Sequence, residues 1–475
     1  MAGTRLAVNT VDETYGWDFP AGKTNEKIKS GRGGVLKDEA TAIGVEGNMV
    51  IGHGGDSRYY WFTDGSLDNK ILLFQSRYSR GDDGSITVLT PTIEICDAKT
   101  WVVSRIVNQL TDWPSMQNVY GAVGIGTVLY PIDFDKAKIA KIPMTGSSAY
   151  VETAAYTFTN PSYPTDKSYG VALSADLAAN RLYGLFITVD DLLSPTANYR
   201  ESTVVEIDLA TFTEIRRTKR VSTVDASLNL GCNAFTLERY GSKLHVCSIG
   251  GRQGGGTPNA GSKLDVIDLA DTSDPTGLVF TTAFMASDLI PILGEGPELR
   301  DITFTNDGNA YVLAGYYDPN YRIFNGQVLQ FPAGNVKPDY LTGSYFFPTE
   351  LPNQGSVFAV LANDNNRIWL ARGMYVDLCA QELELGNALV PIDTKASYEI
   401  NGPANTYYLN SVTLYGEDPA ATPAMLRGKS GYQAPAFASN SVRALIERQR
   451  LLREEEEKRE AIRARIAANR KQQGK

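Results

Sequence analysis

The sequence predicts an all-β protein, a β-propeller of six or seven four-stranded blades, followed by a charged C-terminal α-helix. Three observations support this fold class. The stretch 169–217 contains four short strands in succession, and a short sequence pattern returns at a spacing near sixty residues. The turns between the apolar runs are rich in Asn, Asp and Gly, which tolerate the backbone conformations that tight turns need.

The stretch 169–217 has the size of one propeller blade. Its apolar runs are separated by polar breaks such as Ser174-Ala175-Asp176. Four strands within roughly sixty residues, each bounded by turn residues, are typical of a blade. The four predicted strands are 171–173, 181–187, 204–209 and 214–217.

A pattern of apolar residues followed by Asp predicts the third strand of successive blades. The aspartates are at positions 97, 208, 268 and 393, and two degenerate copies centre on Pro143 and Phe331. The six positions are separated by 46, 65, 60, 63 and 62 residues. A spacing held over four intervals predicts a repeat architecture rather than a set of unrelated domains.

The first hairpins of the predicted blades extend the pattern. Asp307-Gly308 is a turn followed by Tyr311-Val312, while Ile207-Asp208 and Ile267-Asp268 end third strands. Over residues 42–415 the chain resembles the YVTN-type repeats of bacterial β-propellers, which join an Asp-Gly, Tyr-Val hairpin to a Val-Ile-Asp strand. The resemblance implies a propeller fold, is compatible with export from the cytoplasm, and implies no fixed activity.

Composition and charge limit the classes of partner. The 475-residue chain has a net charge of −9, and because residues 441–475 carry +5, the remainder carries −14. An acidic body repels nucleic acid and anionic membrane surfaces, so neither is a predicted partner.

The sequence lacks an apolar run of about 18 residues that could span a membrane. It also lacks an N-terminal secretion signal, so we expect a mature extracytoplasmic form or, alternatively, a cytoplasmic protein.

The sequence divides into four segments. Residues 1–41 are weakly patterned and could contribute strands that close the ring, residues 42–416 form the predicted propeller, and 417–438 read as a Pro/Ala/Gly-rich linker. Residues 439–475 predict a helix without Gly or Pro from 442 to 469. This helix either remains solvated or provides a contact for a protein partner or for self-association.

Candidate ligand-binding residues lie where the predicted innermost strands begin. In a propeller these strands run along the central channel, and the loops at one end form a face that commonly binds ligands. Their side chains could bind a small polar ligand or a divalent cation such as calcium, or could simply cap strands and bind water. No cofactor is predicted, and Glu295 and Glu298 add acidity nearby. The candidates are Asn118, Tyr169, Asn233, Arg300, Asp301, Gln354 and Asn410.

Motifs for catalysis or adhesion are sparse. The two histidines are His53, in a glycine-flanked loop, and His245, in an apolar strand where a buried core histidine is expected. The sequence has neither a Gly-x-Ser-x-Gly nor a Cys-x-x-Cys motif. Arg80-Gly81-Asp82 matches an adhesion tripeptide, but the following Asp-Gly already explains the segment as a turn.

Two further features leave alternatives open. Cys232 and Cys247 lie on either side of a predicted hairpin and could pair, although four buried thiols are the simpler interpretation of the sequence. The aromatic run 59–62 could anchor a partner or pack between neighbouring blades.

The function that the sequence favours is a non-catalytic binding or scaffolding module, which engages a protein partner through its face loops or its C-terminal helix. One alternative is a cation-assisted hydrolase or lyase with acidic residues at the mouth of the channel. The other is a structural subunit of a surface assembly that oligomerises through residues 439–475.

Overall fold

A computed structural model describes residues 112–125, 127–192, 197–251, 262–290 and 298–304 continuously, and outside these ranges the strands given below. In the outer strands only a few side chains, among them Ile95 and residues 310–315, are described. The predicted linker and C-terminal helix lie outside the described residues, as do His53, Gly81, Asp82, Glu295 and Gln354.

The described elements are strands and two short 3₁₀ helices, Ala226–Leu228 and Ala286–Leu289. The first strands are β1 (Arg5–Thr10), β2 (Thr14–Asp18), β3 (Lys23–Lys27), β4 (Arg58–Trp61), β5 (Lys70–Phe74), β6 (Tyr78–Arg80), β7 (Ile86–Val88), β8 (Thr92–Asp97) and β9 (Val103–Asn108). The central strands are β10 (Val119–Ile125), β11 (Val128–Asp133), β12 (Lys138–Pro143), β13 (Ala154–Thr157), β14 (Lys167–Asp176), β15 (Arg181–Val189), β16 (Thr203–Asp208), β17 (Thr213–Thr218), β18 (Ala234–Tyr240), β19 (Lys243–Ile249), β20 (Ser262–Asp268), β21 (Gly277–Leu278) and β22 (Phe280–Met285). The last strands are β23 (Glu298–Phe304), β24 (Asn309–Tyr317), β25 (Phe324–Pro332), β26 (Tyr345–Phe346), β27 (Val357–Ala362), β28 (Ile368–Arg372), β29 (Tyr375–Glu382), β30 (Ala388–Ala396) and β31 (Leu409–Tyr415).

These strands form a series of antiparallel meanders, each with four strands in order. We name them sheet I (β4-β5-β8-β9), sheet II (β10-β11-β12-β13), sheet III (β14-β15-β16-β17), sheet IV (β18-β19-β20-β22), sheet V (β23-β24-β25-β26), sheet VI (β27-β28-β29-β30) and sheet VII (β31-β1-β2-β3). Strand β21 adds to the outer edge of sheet III, parallel to β17, and β6 and β7 form a separate ribbon. The four strands predicted within 169–217 are the four strands of sheet III.

The first strand of each sheet contacts the first strand of the next. These contacts run from β4 to β10, β14, β18, β23, β27 and β31, and β31 in turn contacts β4. The N-terminal strand β1 pairs antiparallel with the C-terminal strand β31, with Val8 opposite Val412. Four-stranded meanders arranged around an axis by their first strands define a β-propeller, which confirms the predicted all-β propeller fold class.

Alternation along each strand supplies apolar side chains to both faces of a sheet. On β16, Val204 packs in the core between sheets III and IV, while its neighbour Val205 packs in the core between sheets II and III. Burying one such side chain contributes about 1.5–3 kcal/mol relative to leaving it exposed. A single sheet therefore depends on a neighbour on each side, which favours the ring over an isolated blade.

Two sequence interpretations require correction or comment. The Ile-Asp pattern at position 393 lies in β30, the outermost strand of sheet VI, and not in its third strand, which is β29. A three-residue pattern recurs by chance in other strands, and the third strand β29 has its own copy, Val376-Asp377-Leu378, which the sequence analysis did not select. Cys232 and Cys247 do not form a disulfide bond, which decides an alternative that the sequence left open.

His245 is the core histidine that the sequence predicts. It is buried, its ring centroid is 4.6 Å from that of Phe304, and its Nδ1 has no hydrogen-bond partner. Burial lowers the pKa of His245 to about 4, below its ordinary value of 6.5. The imidazole is therefore neutral in the folded protein at neutral pH.

We expect His245 to make the folded state less stable in acid. Because the pKa of His245 is lower in the folded state, the neutral imidazole contributes fully to the free energy of unfolding above pH 6.5. This contribution is lost progressively as the pH falls towards 4. Between pH 7 and pH 5 the loss should be on the order of 1–2 kcal/mol. Urea unfolding at both pH values should show a smaller decrease for His245→Phe than for the wild type. Equal decreases would contradict this account.

Candidate binding site on the mouth face

A β-bulge recurs near the start of the first strand in six of the described sheets. In each, one residue of the first strand is extra to the register with its partner strand. Such bulges re-aim the chain locally and are common next to binding sites. The extra residues are Tyr120, Val171, Phe235, Arg300, Phe358 and Asn410. We call the end of the ring where these strands begin the mouth face.

The bulges align the sequence-predicted site residues. Asn118, Tyr169 and Asn233 each lie two positions before a bulge residue, so they occupy equivalent places at the starts of the first strands of sheets II, III and IV. In sheet V the equivalent residue is Glu298, while Arg300 is the bulge residue and Asp301 follows it. The sequence analysis therefore placed the sheet V residues out of register with the others. Gln354 and the side chain of Asn410 lie outside the described residues.

Sheets IV and V bring three of the predicted residues, Asn233, Arg300 and Asp301, to the starts of adjoining strands. Arg300 is fully buried, donates from Nη2 to Glu298 Oε2, and lies with its Cζ 5.6 Å from the ring centroid of Phe235. The hydroxyl of Thr236 on β18 donates to the carbonyl oxygen of Arg300 at 2.8 Å. Asn233 directly precedes β18. We call residues 233–236 and 298–301 the IV–V mouth.

Asn118 belongs to a different local structure. Its backbone N–H and that of Gln117 donate to the carboxylate of Asp133, which also accepts from the N–H of Lys136 at 2.8 Å. Burial raises the pKa of Asp133 against the effect of these three donors. Asp133 thus fixes the start of β10, and the structure gives Asn118 a structural position two sheets away from the IV–V mouth.

The loop between β17 and β18 is the most apolar part of the described mouth face, and the sequence analysis did not identify it. Its side chains Val221, Val224 and Leu228 are exposed, and Val224 has 96% of its surface accessible to solvent. We call residues 219–229 the apolar loop. The sequence feature that could have indicated this loop is the pair of valines, Val221 and Val224, in a mostly polar segment. Exposed aliphatic residues are common in loops, so this pair does not distinguish a binding site.

The apolar loop is held in one conformation by hydrogen bonds. Asn229 Oδ1 accepts from the N–H groups of Val221 and Ser222 at 2.7 and 2.8 Å, and its Nδ2 donates to the carbonyl of Ser222 at 2.7 Å. Asp225 caps the short helix Ala226–Leu228 by accepting from the N–H of Ser227 at 2.9 Å. The loop therefore presents its aliphatic side chains on an ordered backbone.

A buried ion pair anchors this loop to sheet IV. The ammonium group of Lys263 donates to the carbonyl oxygens of Ser227 and Asn229 and lies 3.3 Å from Asp265 Oδ1. Both charged side chains are fully buried, and burial raises the pKa of Asp265. Asp265 also accepts from the N–H of Gly231 at 2.8 Å. A buried charge without its partner is costly, so the pair ties the loop to the sheet.

A tyrosine between two arginines lies on the same face. The ring centroid of Tyr163 is 5.0 Å from Cζ of Arg200 and 5.2 Å from Cζ of Arg220, and its hydroxyl donates to Glu201 at 2.9 Å. Burial and Glu201 raise the pKa of Tyr163 to about 12. Arg220 belongs to the apolar loop and directly precedes Val221, so Tyr163 contacts the start of the loop and Arg200 lies on the other side of Tyr163.

The described acidic residues do not assemble into a metal centre. Within the ranges that the structure describes, no three His, Cys, Asp or Glu side chains lie close enough together to hold a metal ion. Glu298 is paired with Arg300, and Asp301 Oδ1 accepts from the N–H of Ile302 at 2.9 Å. The calcium site and the cation-assisted hydrolase or lyase remain predictions.

No helix in the described part of the chain has the length and hydropathy that crossing a membrane requires.

Comparisons with known proteins found similarity among solved structures only. No protein-family model and no curated protein matches the chain. A putative 6-phosphogluconolactonase from Bacteroides fragilis is similar in structure at 9% identity and a TM-score of 0.49, over 87% of this chain and 98% of that one. The periplasmic gluconolactonase of Pseudomonas aeruginosa is similar at 9% identity and a TM-score of 0.48, over 87% and 99%. The Dos1 propeller is similar at 10% identity and a TM-score of 0.43, over 76% and 90%.

Replacing Lys263 should release the apolar loop. In Lys263→Met the Asp265 carboxylate stays buried without its ion-pair partner, and we expect a loss of about 3–5 kcal/mol in the free energy of unfolding. Urea denaturation measures this loss, and limited proteolysis should show earlier cleavage within 219–229. Lys219→Met is the matched control, because Lys219 pairs with Asp274 on the surface and its loss should change stability little. Equal effects of the two substitutions would refute the anchoring role.

Proposed function

We propose that the protein is a seven-bladed β-propeller that acts as a non-catalytic binding module for another protein. The blade number rests on the seven four-stranded sheets, on the ring of contacts between their first strands, and on the pairing of β1 with β31. Pairing of the two terminal strands within one sheet closes the ring non-covalently. The YVTN-type resemblance supports the same architecture without adding an activity.

The observation that carries the binding function is the apolar loop. Exposed aliphatic side chains gain nothing for folding, yet Asn229, Asp225 and the buried Lys263 hold their backbone in place. An interface profits from such order, because a preorganised loop loses little conformational entropy when a partner binds. The loop protrudes, so the complementary partner surface is a concave apolar pocket.

The neighbouring side chains fit the edge of a protein interface. Tyrosine and arginine are enriched among residues that dominate binding energies. Arg220 of the apolar loop contacts Tyr163, which in turn contacts Arg200. Asp166 and Glu201 pair with the two arginines, with Arg200 Nε 2.7 Å from Asp166 and Arg220 Nε 3.7 Å from Glu201. The border is therefore polar but locally neutral, and the apolar centre supplies most of the affinity.

Charging the tip of the loop should abolish partner binding without affecting the fold. We expect Val224→Asp to weaken binding at least tenfold, because the carboxylate would have to enter an apolar pocket without a partner. Partners are captured from an extract of the source cells with immobilised wild-type protein and identified by mass spectrometry. Each affinity is then measured by titration calorimetry with the purified partner.

The matched control is Val151→Asp, the same substitution at an exposed valine between β12 and β13, at the opposite end of sheet II. It should bind the partner like the wild type. If Val224→Asp binds every purified partner with wild-type affinity, the apolar loop is not the interface and this assignment fails.

Residues 439–475 are proposed as a second, separable contact that mediates self-association. We expect the full chain to form concentration-dependent oligomers and a chain truncated after residue 438 to remain monomeric. Sedimentation velocity over a hundredfold range of concentration measures this difference. Identical sedimentation of the two chains would argue against self-association and against a structural subunit built through this segment.

A further inference from the structure

The chain leaves the propeller at the end of the ring opposite the mouth face. Strand β31 is the first strand of sheet VII, and its bulge residue Asn410 lies near its start, as in the other first strands with a bulge. It therefore runs from the mouth face to the opposite end, which we call the base face, where its last residue Tyr415 pairs with Arg5 of β1. Residues 416–475, which we call the tail, begin at the base face.

The apolar loop lies at the other end of the ring. It joins β17 to β18, and in antiparallel meanders the fourth strand of one sheet ends where the first strand of the next begins, here at the mouth face. A seven-residue strand such as β31 spans about 23 Å, so roughly this height separates the start of the tail from the mouth face. Around the ring, the boundary between sheets III and IV is also opposite sheet VII.

The tail is poorly suited to cover the apolar loop of its own chain. The predicted linker 417–438 has 22 residues, and a flexible chain of this length has an r.m.s. end-to-end distance of about 26 Å. A path outward past the four strands of a sheet, about 14 Å, and then up to the mouth face, about 23 Å, is already longer. Beyond the linker, the heptad positions from Leu445 reach Leu452 and then Arg459, so the sequence offers no continuous apolar stripe to cover the loop.

We infer that copies joined through their tails present their apolar loops outward and bind, as one multivalent unit, a protein assembly that displays its apolar pocket in several copies. This inference rests on the proposed function, in which the loop is the interface and residues 439–475 mediate self-association. Because the two contacts begin on opposite faces of the ring, using one leaves the other accessible.

The size of the apolar loop favours a partner with repeated pockets. Residues 219–229 are 11 residues, whereas a standard interface engages about 20–30 residues on each side. A single loop is therefore a small contact. When two loops are linked, the second binding event becomes intramolecular, and the overall affinity can rise by roughly 10²–10⁴ without any new contact.

The test uses the full chain with Val224→Cys, biotinylated at this exposed position, and streptavidin as a probe with repeated pockets. Light scattering should rise at least tenfold above that of the same variant truncated after residue 438, because outward-facing loops of one oligomer bridge different streptavidin molecules. The truncated chain retains strands β1 to β31 and should give only discrete complexes.

The wild-type chain, treated in the same way, measures biotin uptake by the native cysteines. Cys247 is buried, and burial raises the pKa of the Cys232 thiol to about 12, so little reactive thiolate is available at either position near neutral pH. We therefore expect the wild-type chain to give no rise in light scattering with streptavidin.

Energy transfer between donor- and acceptor-labelled copies of the full chain tests their orientation. Val224→Cys carries the label on the mouth face, and Ala178→Cys carries it in the exposed turn between β14 and β15, on the base face. We expect at least twofold more efficient transfer between labels at 178 than between labels at 224, because the tails draw the base faces together.

Equal light scattering of the full and truncated chains, or transfer at 224 as efficient as at 178, would overturn the inference. Sedimentation velocity distinguishes the two kinds of failure. If the full chain is monomeric, the proposed self-association fails as well. If it forms oligomers that do not cross-link streptavidin, only the multivalent arrangement fails, and the binding test with Val224→Asp is unaffected.

Discussion

The structure depends on the fact that each four-stranded sheet has two apolar faces and cannot cover either by itself. Val204 and Val205, neighbours on one strand, pack in two different interfaces, so sheet III needs sheet II and sheet IV at once. Every sheet has the same need for a neighbour on each face, and all apolar faces are covered only when the sheets form a closed ring. Pairing of β1 with β31 provides that closure by hydrogen bonds between the first and the last of the described strands.

Because the sheets are repeats, the parts that differ between them are informative. The bulge on the first strands is common to six sheets and belongs to the architecture. Charged residues at that bulge belong to sheet V alone among the aligned strands, and the anchored apolar loop lies between sheets III and IV. Both features increase the cost of folding locally. The stacked apolar cores are large enough to offset that cost, which leaves the mouth face free to vary.

A substantial part of the fold could be predicted from the sequence. The four strands of sheet III follow from alternation and turn residues alone, and the spacing of the Ile-Asp pattern led to the correct third strands in sheets III and IV. The same pattern failed at position 393, because an apolar residue before Asp suits the outermost strand as well as the third. The register of the strands could not be predicted from the sequence either. Arg300 and Asp301 were grouped with Asn118 and Asn233, although the residue of sheet V at the position of Asn118 and Asn233 is Glu298.

The sequence by itself determined the fold class, the repeat and the approximate positions of the mouth residues, because strand periodicity and turn chemistry are local properties of the chain. Only the tertiary structure decided which strands pair across long separations, where the bulges fall, and which side chains are buried together. The contact of Arg300 with Phe235 and of Lys263 with Asn229 joins residues 65 and 34 positions apart. Such contacts follow from how whole sheets pack against one another, which local patterns do not encode.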